Sequence, residues 1–134
     1  MIQYREFDSS RLDEVKEIYE SENRNAYLRD DAKLRRAFDK SLYILGAFDG
    51  DSLAGFARCV GGGEHILLVQ DLIVRPQYRR RGIGKALFGT ARDKFADVRM
   101  FHVVTDANDP ADNGFYRSFG MKQPAEGGMV SYFR

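Results

Sequence analysis

Three consecutive arginines, Arg79, Arg80 and Arg81, stand directly before Gly82, Ile83, Gly84 and Lys85 in the stretch RRRGIGKAL. A helix begins with N–H groups that lack intrahelical partners and carries partial positive charge at that end, so a loop opening into a helix suits an anion. Glycines let the backbone approach phosphate oxygens closely, and guanidinium groups add charge-assisted bonds. The chemistry favoured by these residue types is the holding of a pyrophosphate. A solvated surface cluster is the alternative reading of the same side chains. The spacing is not that of a Walker A loop, because no Gly-Lys-Ser/Thr follows, and Leu87 occupies the place of the third glycine in a Gly-x-Gly-x-x-Gly dinucleotide fingerprint.

The elements around this stretch decide where it points. Ile66 to Val74 is an almost continuous apolar run, interrupted by Gln70 and Asp71 and halted by Pro76, and reads as a central strand. Beyond the glycines, Ile83, Ala86, Leu87, Thr90, Ala91 and Phe95 recur at helical spacing, so the glycines sit where a strand and loop feed a helix. Upstream, Ile2 to Phe7 reads as a short strand. Ser10 with Asp13 marks a helix start, with Leu12, Val15, Ile18 and Tyr19 on one face, and a second helix is expected over Asp31 to Asp39. Leu42 to Phe48 and Leu53 to Val60 flank Asp49-Gly50-Asp51 as a hairpin. Downstream come a strand over Val98 to Val104, a short helix over Asp109 to Phe119 and a closing strand over Met129 to Phe133. The order implies a mixed α/β fold, a mostly antiparallel sheet flanked by helices, with one strand-helix-strand unit in its second half.

A chain of 134 residues with 43% hydrophobic content is the size of one compact domain, so residues 1–134 are expected to form a single one. The 21 basic and 20 acidic side chains leave a net charge of +1, which supplies no global attraction to nucleic acid or an anionic membrane. Cys59 is the single cysteine, which rules out an internal disulfide and a Cys-rich zinc site and fits a reducing, cytoplasmic setting. No metal is expected. MIQYREFDSS lacks the apolar run of a secretion signal, and no segment approaches the roughly 20 apolar residues that span a bilayer.

Taken with its flanks, DLIVRPQYRRRGIGKAL (residues 71–87) resembles the acyl-CoA binding motif of the GNAT superfamily of N-acetyltransferases, Arg/Gln-x-x-Gly-x-Gly/Ala, met here by Arg79, Gly82 and Gly84. FYRSFGM (residues 115–121) resembles the Phe/Leu-Tyr-x-x-x-Gly-Phe signature that closes the same fold, with Met121 in place of the usual Phe. The resemblance implies acetyl-CoA as cosubstrate. It also implies that the strand bearing Leu72, Ile73 and Val74 splays from its neighbour to bond the pantetheine amides. The N–H groups of Arg80, Arg81, Gly82, Ile83, Gly84 and Lys85 would then wrap the pyrophosphate. Three adjacent arginine side chains cannot all point one way, so at least one of Arg79 to Arg81 is expected on the surface. The family's Asn seven residues before the Tyr is Asp109 here, with Asn108 beside it as the residue left to contact the cofactor.

Amine acetylation by a thioester needs a neutral amine and a proton for the departing thiolate. The resemblance gives the acid role to Tyr116, since a phenol with a pKa near about 10 can protonate a thiolate whose conjugate acid lies near about 8.5. On periodicity alone, Phe115 and Tyr116 are helix core residues. Asp71 is a carboxylate in an apolar strand, costly unless paired or used. It serves either as base or amine anchor, or in a salt bridge to a neighbouring strand. Gln70 cannot act as a base. Glu64 and His65 lie at the mouth of the strand, while His102 decorates another strand. Cys59 has no histidine close in sequence, which argues against a covalent route and for direct transfer within a ternary complex.

Both LIVRPQYRRRGIGKAL and FYRSFGMKQPAEGGMVSYF are similar to the plant serotonin N-acetyltransferase-like branch, which implies a small-molecule primary amine, an arylalkylamine among them. The rival enzyme reading is acetylation of a protein lysine or N-terminus. A rival of another class is a non-catalytic CoA-binding or nucleic-acid-binding module. Against the last, only Tyr78 interleaves the arginines as an aromatic platform. The closing strand and Gly127-Gly128 further suggest, by resemblance, packing against a second copy as a homodimer.

Overall fold

The computed structural model describes residues 1–134, which divide into two compact units, Met1–Val103 and Val104–Arg134. The first carries a five-stranded sheet in the order β1 (Ile2–Glu6), β2 (Tyr43–Asp49), β3 (Ser52–Val60), β4 (Ile66–Val74), β5 (Met100–Val103). The first four strands pair antiparallel and β5 joins β4 in parallel. Helices α1 (Leu12–Ser21), α2 (Asp31–Asp39) and α3 (Ile83–Lys94) complete this unit. The mixed, mostly antiparallel sheet with flanking helices is the fold expected from the sequence.

Leu12, Val15, Ile18 and Tyr19 of α1 and Leu34 and Phe38 of α2 bury one core with Ile44, Phe48, Phe56 and Ile73 of the sheet. The 3.6-residue period of the two helices meets the two-residue period of the strands there, which is why both patterns were visible in the chain. The helix start differs in detail from the one read off Ser10. Asp8, not Ser10, supplies the cap: its carboxylate accepts from the Ser10 N–H and opens a 3-10 turn over Ser9–Arg11, and α1 follows from Leu12. Helix α2 runs over the expected residues, with Asp30 accepting from the Lys33 N–H at 3.0 Å.

Over the stretch that pairs with β3, β4 contains one extra residue. Cys59 stands opposite Val69 and Arg58 opposite Asp71, so Gln70 is a bulge. Because neighbouring residues of β3 point to opposite faces, the bulge puts Val69 and Asp71 on opposite faces too, and turns Asp71 toward α1. Asp71 and Arg58 are the two buried charged residues of the chain. Arg58 Nε donates to Asp71 Oδ2 at 2.7 Å, the Tyr19 hydroxyl donates to the same oxygen at 2.7 Å, and Arg58 Nη1 donates to Ser41 Oγ at 3.2 Å.

The second unit holds α4 (Pro110–Ser118), which starts at Asp109, whose carboxylate accepts from the Asp112 N–H, and ends in a Schellman closure. Gly120 takes the left-handed conformation at φ 79°, its N–H donates to Arg117 O at 2.9 Å, and the Met121 N–H donates to Tyr116 O at 3.2 Å. Arg117 pairs with Glu126 at 3.1 Å, and Gln123 N–H donates to Glu126 Oε2 at 2.8 Å, tying the turn Pro124–Gly127 to the helix. The closing strand expected over Met129 to Phe133 is not formed. A strand exists through its pairing, residues 104–134 contain no strand, and Tyr132 and Phe133 are almost fully exposed.

Two consequences can be measured. Arg58→Met strands a buried carboxylate and should lower the unfolding free energy by about 3 kcal/mol, whereas the triple change Tyr19→Phe, Arg58→Met, Asp71→Leu should restore most of it in urea denaturation. Equal losses in both would show that pairing is not what holds Asp71 in place. Gly120→Ala has open space for its Cβ, so its cost of about 1 kcal/mol should come from backbone strain alone and be smaller for Gly120→Asn.

Candidate active site

β5 pairs with β4 only from Ile66 to Val69. From Gln70 to Val74 the strand keeps β3 on one side and has no strand on the other, so the backbone of Leu72, Ile73 and Val74 lies on an open edge. The pairing of β4 with β5 thus ends at the bulge.

The open edge runs into a loop that side chains pin from several directions. Arg75 Nε donates to Leu53 O at 2.7 Å and its Nη2 pairs with Glu17 at 3.0 Å. The Tyr78 hydroxyl donates to Asp49 at 2.7 Å, and Arg79 is ion-paired with Glu22 at the end of α1. Arg81 lies over the Tyr78 ring, 5.1 Å from its centroid, and Arg80 is exposed. The three arginines therefore part ways. Arg80 at φ 64° and Gly82 at φ 76° are both left-handed, which curls the backbone inward ahead of α3. The first bond of the helix is Ala86 N–H to Gly82 O at 3.0 Å, and no side chain caps its start, so the N–H groups of Ile83, Gly84 and Lys85 have no intrahelical partner. A Cβ at Gly84 would meet nothing closer than Val74 Cγ2 at 3.9 Å. Unpartnered donors at a helix start suit an anion such as a pyrophosphate by charge.

At the other end of the open edge, the bulge residue Gln70 donates from Nε2 to the Tyr27 hydroxyl at 2.7 Å. Tyr27 lies on the 3-10 turn Asn25–Leu28 and stacks on Tyr19 at a centroid distance of 4.3 Å and 15° between planes. Burial, with Asp71 adding to it, pushes the Tyr19 phenol far up, so its hydroxyl stays a donor to Asp71. Asp71 is thus seen in the salt bridge to the neighbouring strand that the sequence left open. Its Oδ1 is buried without a hydrogen-bond donor.

Cys59 is fully buried, and burial pushes its thiol up to about 12, so no thiolate nucleophile is available there at neutral pH. Glu64 and His65 are exposed at the mouth of β4. No group of three His, Cys, Asp or Glu side chains is placed to hold a metal ion, and no helix is long and apolar enough to cross a membrane. In the second unit, Tyr116 is half-buried on the last turn of α4, one residue from Phe115. Asn108 is exposed, and its backbone N–H donates to Asp106 at 2.8 Å. Asn113, which the sequence reading did not single out, spans the helix start instead, donating from Nδ2 to Asp106 O at 2.9 Å and Asp109 O at 2.7 Å. Tyr19 and Tyr27 were likewise missed as site residues. Tyr19 showed only as a helical core position, and Tyr27 lies in a polar stretch without periodicity.

Comparison with known proteins agrees with this geometry. Residues 12–121 match the model of the Acetyltransferase (GNAT) family. Over 105 residues, 75% of the chain, it is 30% identical to an uncharacterized ycf52-like N-acetyltransferase of Prochlorococcus marinus. Over 112 residues, 78% of the chain, it is 33% identical to the chloroplastic serotonin N-acetyltransferase 2 of Oryza sativa subsp. japonica. The chain spans 58% and 54% of the lengths of these relatives. A GNAT family acetyltransferase of Streptococcus pneumoniae TIGR4 superposes with a TM-score of 0.84 at 30% identity, covering 100% of this chain and 97% of that one. The chain belongs to the GNAT family of acetyltransferases.

Proposed function

We propose that the protein transfers the acetyl group of acetyl-CoA to a primary amine of a small molecule, by direct attack in a ternary complex. The observation that carries this reading is the continuous run from the bulge at Gln70, along the open edge of β4, to the uncapped N-terminus of α3. An extended chain of amides ending in a pyrophosphate matches that run. The edge offers backbone partners, and the N–H groups of Ile83, Gly84 and Lys85 offer an anion cradle, with Arg80 the least committed of the three arginines. The rice relative, by its name a serotonin N-acetyltransferase, supports a small amine as acceptor.

The amine nitrogen attacks the thioester carbonyl, a C–N bond forms, the C–S bond breaks, and the thiolate takes a proton. In this reading Tyr116 gives that proton and regains one from solvent. Once bonded to the carbonyl carbon, the nitrogen gives up a proton to water, since the amide of Gln70 at the bulge cannot act as a base. Asp71 acts at one remove. Its Oδ2 holds Tyr19 and Arg58 in place beneath Tyr27, which makes it a positioning residue, and its donor-free Oδ1 supports a further role in drawing an acceptor ammonium toward the bulge.

Gly84 and Tyr116 separate cofactor binding from chemistry. The Cβ of Gly84→Ala has room in the free protein, so its melting temperature should stay within a few degrees of the parent while acetyl-CoA affinity, read by calorimetry, falls by about 10-fold through overpacking. Unchanged affinity would remove the cradle from the binding site. Tyr116→Phe should lower kcat in a free-thiol release assay by about 100-fold or more with little change in acetyl-CoA affinity. Full turnover by that variant at its pH optimum would remove Tyr116 as the acid.

A further inference from the structure

One hydroxyl at the bulge is held in place and left half used. Gln70 is the extra residue of β4 and is exposed, yet its amide is committed, Nε2 donating to the Tyr27 hydroxyl at 2.7 Å. The Tyr27 ring is fixed on its other sides. It stacks on Tyr19 at a centroid distance of 4.3 Å, the Arg58 guanidinium lies 6.0 Å from its centroid, and it packs with Leu28 against the buried core. The backbone of the turn is tied to α1, because the Arg24 N–H donates to Tyr19 O at 2.9 Å and the Tyr27 N–H donates to Arg24 O at 3.2 Å. Tyr19 and Arg58 are themselves anchored on Asp71, so the buried ion pair supports the placement of one half-buried phenol.

A phenol hydroxyl both donates and accepts. The Tyr19 and Tyr78 hydroxyls spend their protons on carboxylates, those of Asp71 and Asp49. The Tyr27 hydroxyl accepts from Gln70 and gives its own proton to no protein group. That proton and the remaining lone pair are offered at the start of the open edge, where the acetyl-transfer reading puts the thioester and the attacking amine. The chain supplies no base of its own at that point. Gln70 is an amide, Asp71 is buried and ion-paired, and His65 and Glu64 lie five and six residues back along the chain.

We propose, on the footing of the acetyl-transfer reading above, that Tyr27 is a second catalytic residue, whose hydroxyl oxygen accepts an N–H of the acceptor amine and relays the nitrogen's proton to water. The contact turns the nitrogen lone pair toward the thioester carbonyl. After the C–N bond has formed, the N–H bond breaks as a new O–H bond forms on Tyr27, and the original hydroxyl proton leaves to a water molecule. Tyr27 ends as the phenol it began as. Gln70 is a positioning residue: by occupying one side of the oxygen it fixes the rotation of the hydroxyl and leaves the other side for the amine.

The test measures thiol release from acetyl-CoA with phenethylamine, spermidine, neamine and a lysine peptide, and calorimetric binding of the same amines to protein saturated with CoA. Tyr27→Phe keeps the stacked ring, so melting temperature and acetyl-CoA affinity should hold while kcat for the best acceptor falls by about 10- to 100-fold. Imidazole added to the buffer should recover part of that loss in the variant and leave the parent unchanged, since an outside base can replace a relay but cannot repair packing. Gln70→Met should cost about fivefold in the parent and nothing further in Tyr27→Phe, because the amide acts through the hydroxyl. Full turnover by Tyr27→Phe, a loss that imidazole does not lift, or an equal cost of Gln70→Met in both backgrounds would overturn the role of Tyr27 and leave acetyl transfer standing. An amine that binds more weakly to Tyr27→Phe than to the parent, with thiol release from neither, would overturn acetyl transfer and keep the Tyr27 contact. Amines that neither bind nor react would overturn both.

Discussion

The extra residue in β4 sets which face of the sheet Asp71 and the residues after it occupy. Side chains alternate along a strand with a period of two, so one inserted residue exchanges the two faces for all that follow. Below Gln70 the strand is paired on both sides by β3 and β5, and above it the β5 side is open. The same residue turns Asp71 onto the α1 face, where Arg58 and Tyr19 meet it. Two outcomes of one bulge, an open edge and a buried ion pair, therefore come together.

The pins on the loop after β4 act in a complementary way. Arg75, Tyr78 and Arg79 reach back to Leu53, Glu17, Asp49 and Glu22, which lie on β3, on and just after α1, and on β2. Their side chains hold the loop against the sheet and α1. The left-handed Arg80 shows how firmly the curl is held, because a residue with a Cβ gives up roughly 1–2 kcal/mol to adopt it. Basic residues that look in the sequence like three equivalent phosphate ligands thus divide into one structural strut, one exposed cation and one side chain stacked on a ring.

Local features of this kind were legible in the chain in proportion to how local they are. The strand from Ile66 to Val74 and the helix after Gly82 are written in continuous apolar runs and in helical spacing, and both formed where expected. Asp71 stood out because a carboxylate in an apolar run needs a partner, yet the partner was not readable. Arg58 faces it only because the bulge shifts the register by one residue. Tyr27 had no signal at all, since its role rests on a hydrogen bond to a residue 43 positions away. The stretch Met129 to Phe133 has the composition of a strand, but composition supplies only propensity and pairing supplies the bond energy.

The Schellman closure of α4 has a kinetic meaning as well as a structural one. Helices open from their ends, and Tyr116 sits in the last turn, its carbonyl held by the Met121 N–H and the reversal held by Gly120. The lifetime of that one turn then bounds the fraction of molecules in which the phenol stands where the helix puts it. Warming would thin this population by local fraying while the sheet remains intact. In such a protein, loss of this turn on heating would precede loss of the sheet, and the gap between the two temperatures would report the strength of a single glycine-terminated turn.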